Sequence, residues 1–355
     1  MISREKFYGT VVAKRVVTPK SAAKKFDMRR IIVTAPARLH LGFLDLNGAL
    51  GRSFGSLGLT LGGLATSVSA EPADTLCVEG PQGERAEKFA CRLLEQFRPG
   101  QGARIRIDQA IPAHVGLGSG TQLSLALGAA LARLYDWHLD TRAIAALAAR
   151  GARSGIGIGA FDCGGFLVDG GKTAHGEPPR IVARAEFPAH WRMLLVFDRR
   201  VEGLHGDAEM AAFAALPEFP PESAGELCRL TLMQALPALL DADLRRFGAA
   251  IGRIQRVVGD HFAPAQGGRF ASPQVAEVLA WLEAQGITGV GQSSWGPTGF
   301  ALLASETQAH GIARAAYARW GDNSGLHFQV CTGLNRGATI DILNQEERRT
   351  AQRKS

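Results

Sequence analysis

The chain lacks most of the features that would place it at once. Its five cysteines (Cys77, Cys91, Cys163, Cys228 and Cys331) are odd in number and contain no C-x-x-C pair. That excludes a disulfide framework and a zinc ribbon, and free thiols suit a reducing cytoplasm. The nine histidines show no H-x-x-x-H or H-E-x-x-H grouping, which removes the common histidine-built metal centres. No charge-free apolar run reaches 18 residues, so no transmembrane helix is expected. The first 27 residues scatter Lys and Arg without a continuous apolar stretch and do not read as a secretory signal. An added basic extension, with Met28 just before the first strand, is the expectation.

A basic body is missing too. Of the formal charge of +7, residues 1–30 hold nine Lys/Arg against two Asp/Glu, and residues 346–355 hold four against two. About −2 is left for everything between. A nearly neutral body presents no stripe for nucleic acid, and neither a nucleic-acid nor a membrane partner is expected.

What is present is enough chain for two cores. At 355 residues the length exceeds one compact core, and the polar stretch after Pro178-Pro179 marks a boundary. The expected organisation is a flexible basic extension (1–28), an N-terminal anion-binding lobe (29–180), a C-terminal lobe (190–345) and a charged tail (346–355). Apolar periodicity predicts strands over 31–34, 57–64, 66–69, 104–108, 161–168, 191–197, 287–290, 300–303, 327–331 and 338–343. It predicts helices over 84–97, 121–137, a short one after Asp140, 203–216, 222–240, 241–258, from Ser272-Pro273 to Gly286, and 306–320. Mixed strands with helices to one side make an α+β protein.

The most informative stretch is Ile111-Pro-Ala-His-Val-Gly-Leu-Gly-Ser-Gly-Thr121, a glycine-rich loop running into a helix. Leu123, Leu127, Ala130, Leu131 and Leu134 recur at helical spacing, and Ser119 and Thr121 are placed to cap the start. Glycines at 116, 118 and 120 let backbone N–H groups converge on a ligand, and the helix points its positive end at the same spot. A phosphate or diphosphate is the expected guest. No Lys follows the glycines and the G-x-G-x-x-G spacing is absent, so this is neither a P-loop nor a dinucleotide-binding fingerprint.

The loop resembles the Pro-x-x-x-Gly-Leu-Gly-Ser-Ser loop of the GHMP kinase superfamily. Two further segments fit in order: Ala35-Pro-Ala-Arg-Leu-His-Leu-Gly-Phe-Leu-Asp45 resembles the first motif, and Gly289-Val-Gly-Gln-Ser-Ser-Trp-Gly-Pro-Thr-Gly299 the third. Within the superfamily, Arg38-Leu-His40, Phe166-Leu-Val-Asp-Gly-Gly171 and Gly291-Gln-Ser-Ser-Trp-Gly-Pro297 are similar to the β-ribofuranosylaminobenzene 5′-phosphate synthase branch. The resemblance spans about residues 31 to 345. It implies a GHMP-kinase-like two-lobe fold, with a left-handed βαβ in the N-terminal lobe and a ferredoxin-like C-terminal lobe.

Two departures set the chain apart from the kinases. Gly120 stands where they carry a second serine that helps hold Mg²⁺–nucleotide. Gly157 stands where their Pro-Ser-Gly-x-Asp segment, here Arg153-Ser-Gly-Ile-Gly157, carries an aspartate. Phosphoryl transfer needs a group to take or orient the acceptor's proton, and only Asp162, five residues on, offers a substitute. The branch implies instead a transfer from 5-phosphoribosyl 1-diphosphate to 4-aminobenzoate or 4-hydroxybenzoate. Diphosphate and CO₂ are released, in tetrahydromethanopterin biosynthesis. The implied cofactor is Mg²⁺, held by a carboxylate and by substrate phosphate. A cytoplasmic homodimer is the default. Two alternatives stay open: an ATP-dependent GHMP small-molecule kinase, and a non-catalytic phosphometabolite-binding protein.

The transfer assigns roles. Gly116, Gly118, Ser119, Gly120 and Thr121, with the helix dipole and Mg²⁺, are the candidate diphosphate clamp, and Ser154 is a further candidate substrate-binding residue. Gly291, Gln292, Ser293 and Ser294 are candidates for a second anion site that holds the 5-phosphate, or for the diphosphate instead. Arg38 and His40, two apart on one strand face, are the candidate cations that orient the benzoate; on a solvated face they would be surface residues. Trp295 or Phe43 would wall the ring, and a tryptophan in a loop suits a ligand wall better than a core. Asp45 either stabilises the reacting centre, directly or as a metal ligand, or caps the turn after it. Asp169 reads as a turn residue.

Overall fold

The computed structural model describes residues 29–173, 177–203, 206–321 and 325–344, with backbone alone at 207–209. The expected basic extension 1–28 and tail 346–355 lie outside the described residues. The N-terminal half supplies β1 (Arg30–Asp45), β2 (Phe54–Ala73), β3 (Cys77–Glu79), α1 (Gly83–Phe97), β4 (Gly102–Gln109), α2 (Ser119–Leu134), α3 (Thr141–Leu147), α4 (Ile156–Asp162), β5 (Phe166–Asp169) and β6 (Ile181–Ala185). The C-terminal half supplies β7 (Arg192–Asp198), α5 (Gly206–Ala215), α6 (Pro221–Leu230), α7 (Leu236–Leu240), α8 (Leu244–Gln266), α9 (Pro273–Ala284), β8 (Val290–Gln292), β9 (Gly299–Leu303), α10 (Glu306–Trp320), β10 (Leu326–Gly333) and β11 (Thr339–Leu343).

β1 opens with the β-branched run Ile31-Ile-Val-Thr34, burying Ile31, Val33 and Ala35 on one face. From Ala35 both faces are largely covered, because the strand passes into the junction between the lobes. Its pairing with β2 slips between Pro36 and Arg38 and again between His40 and Gly42. Proline has no N–H for the ladder, so an irregularity beside Pro36 follows. β3 and β4 run parallel around α1, giving a βαβ unit. In the C-terminal half β7, β8, β9 and β10 lie in the order β10-β7-β9-β8, every neighbour antiparallel. With α9 before β8 and α10 before β10 this is the ferredoxin-like β-α-β-β-α-β pattern. β10 also pairs with β2 at Thr332–Gly62 and Gly333–Leu61, which joins the two sheets. β11 then returns to the N-terminal edge beside β1, instead of closing the C-terminal sheet.

Three main cores result. Leu123, Leu127 and Leu131 of α2 pack with Phe89 and Leu93 of α1 on Ile105 and Val68 of the N-terminal sheet. α2 is apolar on nearly all sides, as a helix covered by sheet and helices must be. Val275, Leu279 and Leu282 of α9 cover β7 and β9. Between them Leu39, Leu41 and Leu59 meet Trp191, Phe247, Ile251 and Trp295, so the lobe junction is itself a hydrophobic core.

Two local expectations fail for local reasons. Phe161 belongs to α4, not to a strand; Gly164 and Gly165 stop that helix, and the strand begins only at Phe166. The helical run expected over 222–240 is divided by a π-turn at 231–235, just before Pro237, which has no N–H to continue the ladder.

Candidate active site

The three motifs, with contacts between residues 253 apart in sequence, converge where β1 meets the start of α2. Gly116 and Gly118 both adopt left-handed backbone, at φ +84° and +81°, a conformation glycine takes without steric cost. Gly118 is the N-cap of α2 with no side-chain hydrogen bond, so the capping expected of Ser119 and Thr121 is not seen; both lie inside the first turn. Arg38 donates from Nη1 to the Gly116 carbonyl at 2.5 Å, and its backbone N–H bonds the Leu117 carbonyl at 3.2 Å. From the third motif, Ser293 Oγ donates to the same Gly116 carbonyl at 2.7 Å and accepts from the His40 backbone N–H at 3.0 Å. Thr298 Oγ1 donates to the Val115 carbonyl at 2.7 Å. A β-carbon on Gly116 would overlap the Ser293 carbonyl, so the two loops pack backbone to backbone.

That packing redistributes the candidate residues. Ser293 is fully buried and its hydroxyl is committed to the loop contact, so it is a clasp between motifs rather than a free phosphate donor. Gln292 is equally occupied: Oε1 accepts from Ala271 N at 2.6 Å, and Nε2 donates to Gln266 Oε1 at 3.2 Å and to the Ser294 carbonyl at 3.0 Å. Gly291 gives close approach to Gln255 of α8. Ser294, half-buried with φ +58°, and Trp295 face a cavity shared with His40, Phe43, Gln255, Phe262, Gln266, Arg269 and Gln292.

This cavity admits the centre of a water-sized sphere over about 20 Å³. Its walls are aromatic: Trp295 packs at 4.5 Å on Phe262 and 5.1 Å on Phe213, and His40 at 4.6 Å on Phe43. Trp295 is only 4 % exposed, a core residue as well as a wall, contrary to what its loop position suggests. His40 is 3 % exposed. Burial, reinforced by the charge of Arg38, pushes its pKa down to about 3. His40 is therefore neutral at physiological pH and is not the cation expected of it. Two nitrogens lining this space, His40 Nε2 and Trp295 Nε1, are buried without a hydrogen-bond partner among the described residues, an arrangement proteins rarely tolerate outside a site. Phe262, Gln255 and Arg269 were missed by sequence reasoning. Arg269, the cation of the cavity, is held by Asp260 at 2.7 Å and 3.1 Å.

The carboxylates are placed elsewhere. Asp169 is fully buried and accepts from Ser56 Oγ, from Ser154 Oγ at 3.2 Å, and from the backbone N–H of Gly155 and of Gly171 at 2.9 Å each. Burial pushes its carboxyl pKa up, while those hydrogen bonds pull it back. It is the last residue of β5 rather than a residue within the turn; its carboxylate holds the Gly171 N–H of the turn that follows and fixes Ser154 before α4. Gly157 is tied to α2 by Gln122 Nε2, which donates to its carbonyl at 2.8 Å. Asp162 sits at the opposite end of α4, about 7–8 Å along the axis from Gly157, bonded to Thr141. Asp45 Oδ1 accepts from Asn47 N at 2.8 Å and Gly48 N at 2.9 Å, capping the turn after β1. At about 3.3 Å per residue it lies on the order of 20 Å along the strand from Arg38, so the structure does not bring it to the loop. Among the described residues no three His, Cys, Asp or Glu side chains gather as a metal site, and no helix could cross a membrane.

Comparisons with known proteins agree with this arrangement. Residues 84–170 match the GHMP kinases N terminal domain and residues 235–322 the GHMP kinases C terminal domain. The chain is 34% identical over 322 residues to the beta-ribofuranosylphenol 5′-phosphate synthase of Archaeoglobus fulgidus, covering 86% of this chain and 98% of the relative. It is 29% identical over 330 residues to that of Methanothermobacter thermautotrophicus, covering 87% and 98%. The crystal structure of a homoserine kinase from Cytophaga hutchinsonii superposes with a TM-score of 0.62 at 19% identity, covering 92% of this chain and 100% of that one, which shows a shared fold. On the convergence of its three motifs and on these relatives, the chain belongs to the beta-ribofuranosylphenol 5′-phosphate synthases, an enzyme family built on the GHMP kinase fold.

Proposed function

We propose that the protein is a decarboxylating phosphoribosyltransferase that joins 5-phosphoribosyl 1-diphosphate to a para-substituted benzoate, in the tetrahydromethanopterin pathway. The carboxyl-bearing ring carbon attacks C1 of the ribose as the C1–O bond to diphosphate breaks. The ring–carboxyl bond then breaks, its electron pair restores the aromatic ring, and CO₂ leaves. The observation that carries the reading is the aromatic cavity with His40 Nε2 and Trp295 Nε1 buried and unpartnered. It lies one hydrogen-bonded step, through Ser293 Oγ, from the Gly116 carbonyl. An aromatic acid has the flat apolar body and the polar end such a place calls for. At about 20 Å³ the cavity takes a ring only when its lining side chains move apart. Arg38, two residues before His40 on β1, remains the candidate cation to orient the carboxylate, with neutral His40, which lines the cavity, as a hydrogen-bonding partner. Both relatives are named for a phenol, which supports 4-hydroxybenzoate over 4-aminobenzoate as the acceptor.

The backbone of 116–121 and the positive end of α2 would hold the leaving diphosphate. The donor set near the loop does not fit a protein-held metal, since Asp45 is distant and Asp169 is already saturated. On this reading Mg²⁺ arrives chelated by the diphosphate itself. A kinase reading gains nothing from the site: Gly157 has no carboxylate, and Asp162 points to Thr141. The test is release of ¹⁴CO₂ from carboxyl-labelled 4-hydroxybenzoate and 4-aminobenzoate in the presence of phosphoribosyl diphosphate. No release with either acid, together with acceptor-dependent ADP formation from ATP, would overturn the proposal.

A further inference from the structure

Arg269 stands in the aromatic cavity with much of its hydrogen-bonding capacity unspent. Among the described residues that line the space it is the one cation, since His40 is neutral, and no carboxylate lines it. Its surroundings fix it in place. Asp260 accepts from Nε at 2.7 Å and from Nη2 at 3.1 Å, and Gln266 Nε2 donates to the Arg269 carbonyl at 2.9 Å. Two residues on, the Ala271 N–H donates to Gln292 Oε1 at 2.6 Å. Gly259 makes room for the side chain: a β-carbon there would lie 2.6 Å from Arg269 Cγ. A guanidinium carries its N–H donors in a planar fork, so Asp260 takes one edge and leaves those of Nη1 without a partner among the described residues. The carboxylates whose charge acts on Arg269, Asp260 and Glu283, are not part of the cavity wall.

The reaction decides which end of the acceptor meets this cation. On the transferase reading, on which this inference rests, ribose C1 sits beside the diphosphate. The carboxyl-bearing carbon must therefore face the glycine loop, where Arg38 and Ser293 meet Gly116. The para substituent lies at the opposite end of the ring. Arg269 belongs to that end, because its contacts are with Gly259, Asp260 and Gln266 of α8. We propose that Arg269 binds the para oxygen of the acceptor and holds it as a phenolate, a catalytic residue that selects a hydroxyl over an amino group. The phenol proton passes to water, which reaches the half-exposed side chain. As the ring attacks, an electron pair of the phenolate oxygen forms a C=O bond. The π pair at the carboxyl-bearing carbon forms the bond to C1, and the C1–O pair leaves with diphosphate. Loss of CO₂ returns the ring–carboxyl pair to the ring and the negative charge to the oxygen beside Arg269. An amino group follows the same electron flow but turns cationic, which a guanidinium opposes. Asp260 is a positioning residue for the fork.

The experiment compares wild type, Arg269→Gln, Arg269→Lys and Asp260→Asn, with melting temperature recorded for each. One readout is labelled-CO₂ release from 4-hydroxybenzoate and from 4-aminobenzoate. The other is the phenolate absorbance of bound 4-hydroxybenzoate, with inorganic diphosphate present, titrated from about pH 6 to 10. A phenol in water ionises near pH ~10, as tyrosine does. Bound to wild type, the phenolate band should appear at least about one pH unit below its position for the free acid, and Arg269→Gln should abolish that shift. The ratio of kcat/KM for the hydroxy acid to that for the amino acid should fall roughly tenfold or more in Arg269→Gln, as loss of one charge-assisted hydrogen bond implies. It should recover in part in Arg269→Lys and fall roughly threefold in Asp260→Asn. Should the glutamine variant fail to fold, Asp260→Asn, at a more exposed residue, carries the test by the same ratio. A merely structural role, or a carboxylate seated on Arg269, would weaken both acids alike and leave the ratio unchanged; that result overturns the proposal. So does an unshifted band in wild type, or a wild type that favours 4-aminobenzoate. Wild type that releases no CO₂ from either acid removes the transferase reading, and the band shift and its dependence on Arg269 then decide the cation's role by themselves. Failure of wild type to bind 4-hydroxybenzoate overturns both.

Discussion

His40 gives the sharpest physical test of the site, because its burial converts into a pH dependence of known sign. Its imidazole has a pKa of about 3 in the folded chain against 6.5 unperturbed, through burial first and the charge of Arg38 second. Between those values the unfolded chain takes up a proton that the native state refuses. Stability from this group is therefore fully present above pH 6.5 and is lost progressively as pH falls toward 3. The whole gap is worth at most ~5 kcal/mol, and the part between pH 6.5 and 4.5 about 2.5 kcal/mol, at 1.36 kcal/mol per pH unit. Urea unfolding of wild type and His40→Gln at pH 7.5, 6.0, 5.0 and 4.5 isolates it. Glutamine does not titrate, so any constant cost of the substitution cancels in the slope. The stability difference between the two proteins should move in the variant's favour by roughly 2–3 kcal/mol from pH 7.5 to 4.5. A difference that stays flat within about 0.5 kcal/mol would mean that His40 is neither buried nor neutral as described.

Gly116→Ala should cost about 3–5 kcal/mol, left-handed strain plus overlap with the Ser293 carbonyl, whereas Gly118→Ala, whose β-carbon meets only the Arg38 side chain at 3.3 Å, should cost about 1–2 kcal/mol. Equal melting temperatures for the two would show that the loops do not pack as described. Asp169→Asn should lose about 2–4 kcal/mol in urea unfolding, because an NH₂ group would face the N–H groups of Gly155 or Gly171. A variant as stable as wild type would remove Asp169 as the post of that turn. Trp295→Phe deletes the unpartnered Nε1 and keeps an aromatic wall. On the transferase reading it should raise the acceptor KM roughly three- to tenfold with the donor KM unchanged, and an unaltered acceptor KM would take Trp295 out of the acceptor site.

Where structure follows from neighbours in the chain, it was legible in the sequence. Ser272-Pro273 does cap and open α9, with Ser272 Oγ accepting from Val275 N, and Asp140 caps α3 in the same way. The glycine loop entering α2 and the alternating strand before it are likewise where the pattern puts them. What could not be read is which partner each side chain meets. Ser293 looks like a phosphate donor in isolation, and only its contact with Gly116, 177 residues away, commits its hydroxyl. His40 reads as a cation because a histidine in water titrates close to neutral pH, and its loss of charge comes from covering elements distant in sequence. Phe262, Gln255 and Arg269 sit in or just past an amphipathic helix whose spacing says only that one face is covered, not that this face borders a cavity.

The two departures from the kinase pattern have a common physical form. At Gly120 the missing side chain is replaced by the Arg85 guanidinium, and at Gly157 by the Thr121 methyl group, which would lie 2.9 Å from a β-carbon there. Neither glycine leaves a gap; in each case a neighbouring element has closed over the position. At Gly157 the closure is locked by Gln122, so α4 and α2 approach at their N-termini more closely than any residue with a side chain would allow. The glycine at 157 is thus part of the contact between α4 and α2, and a carboxylate at 157 would force Thr121 aside before it could meet a substrate. The same scaffold that elsewhere supports phosphoryl transfer here closes that corner by helix contact. On the transferase reading, the open N-terminal turn of α2 and an aromatic cavity joined to the loop through Ser293 suit a donor with charged ends and an aromatic acceptor.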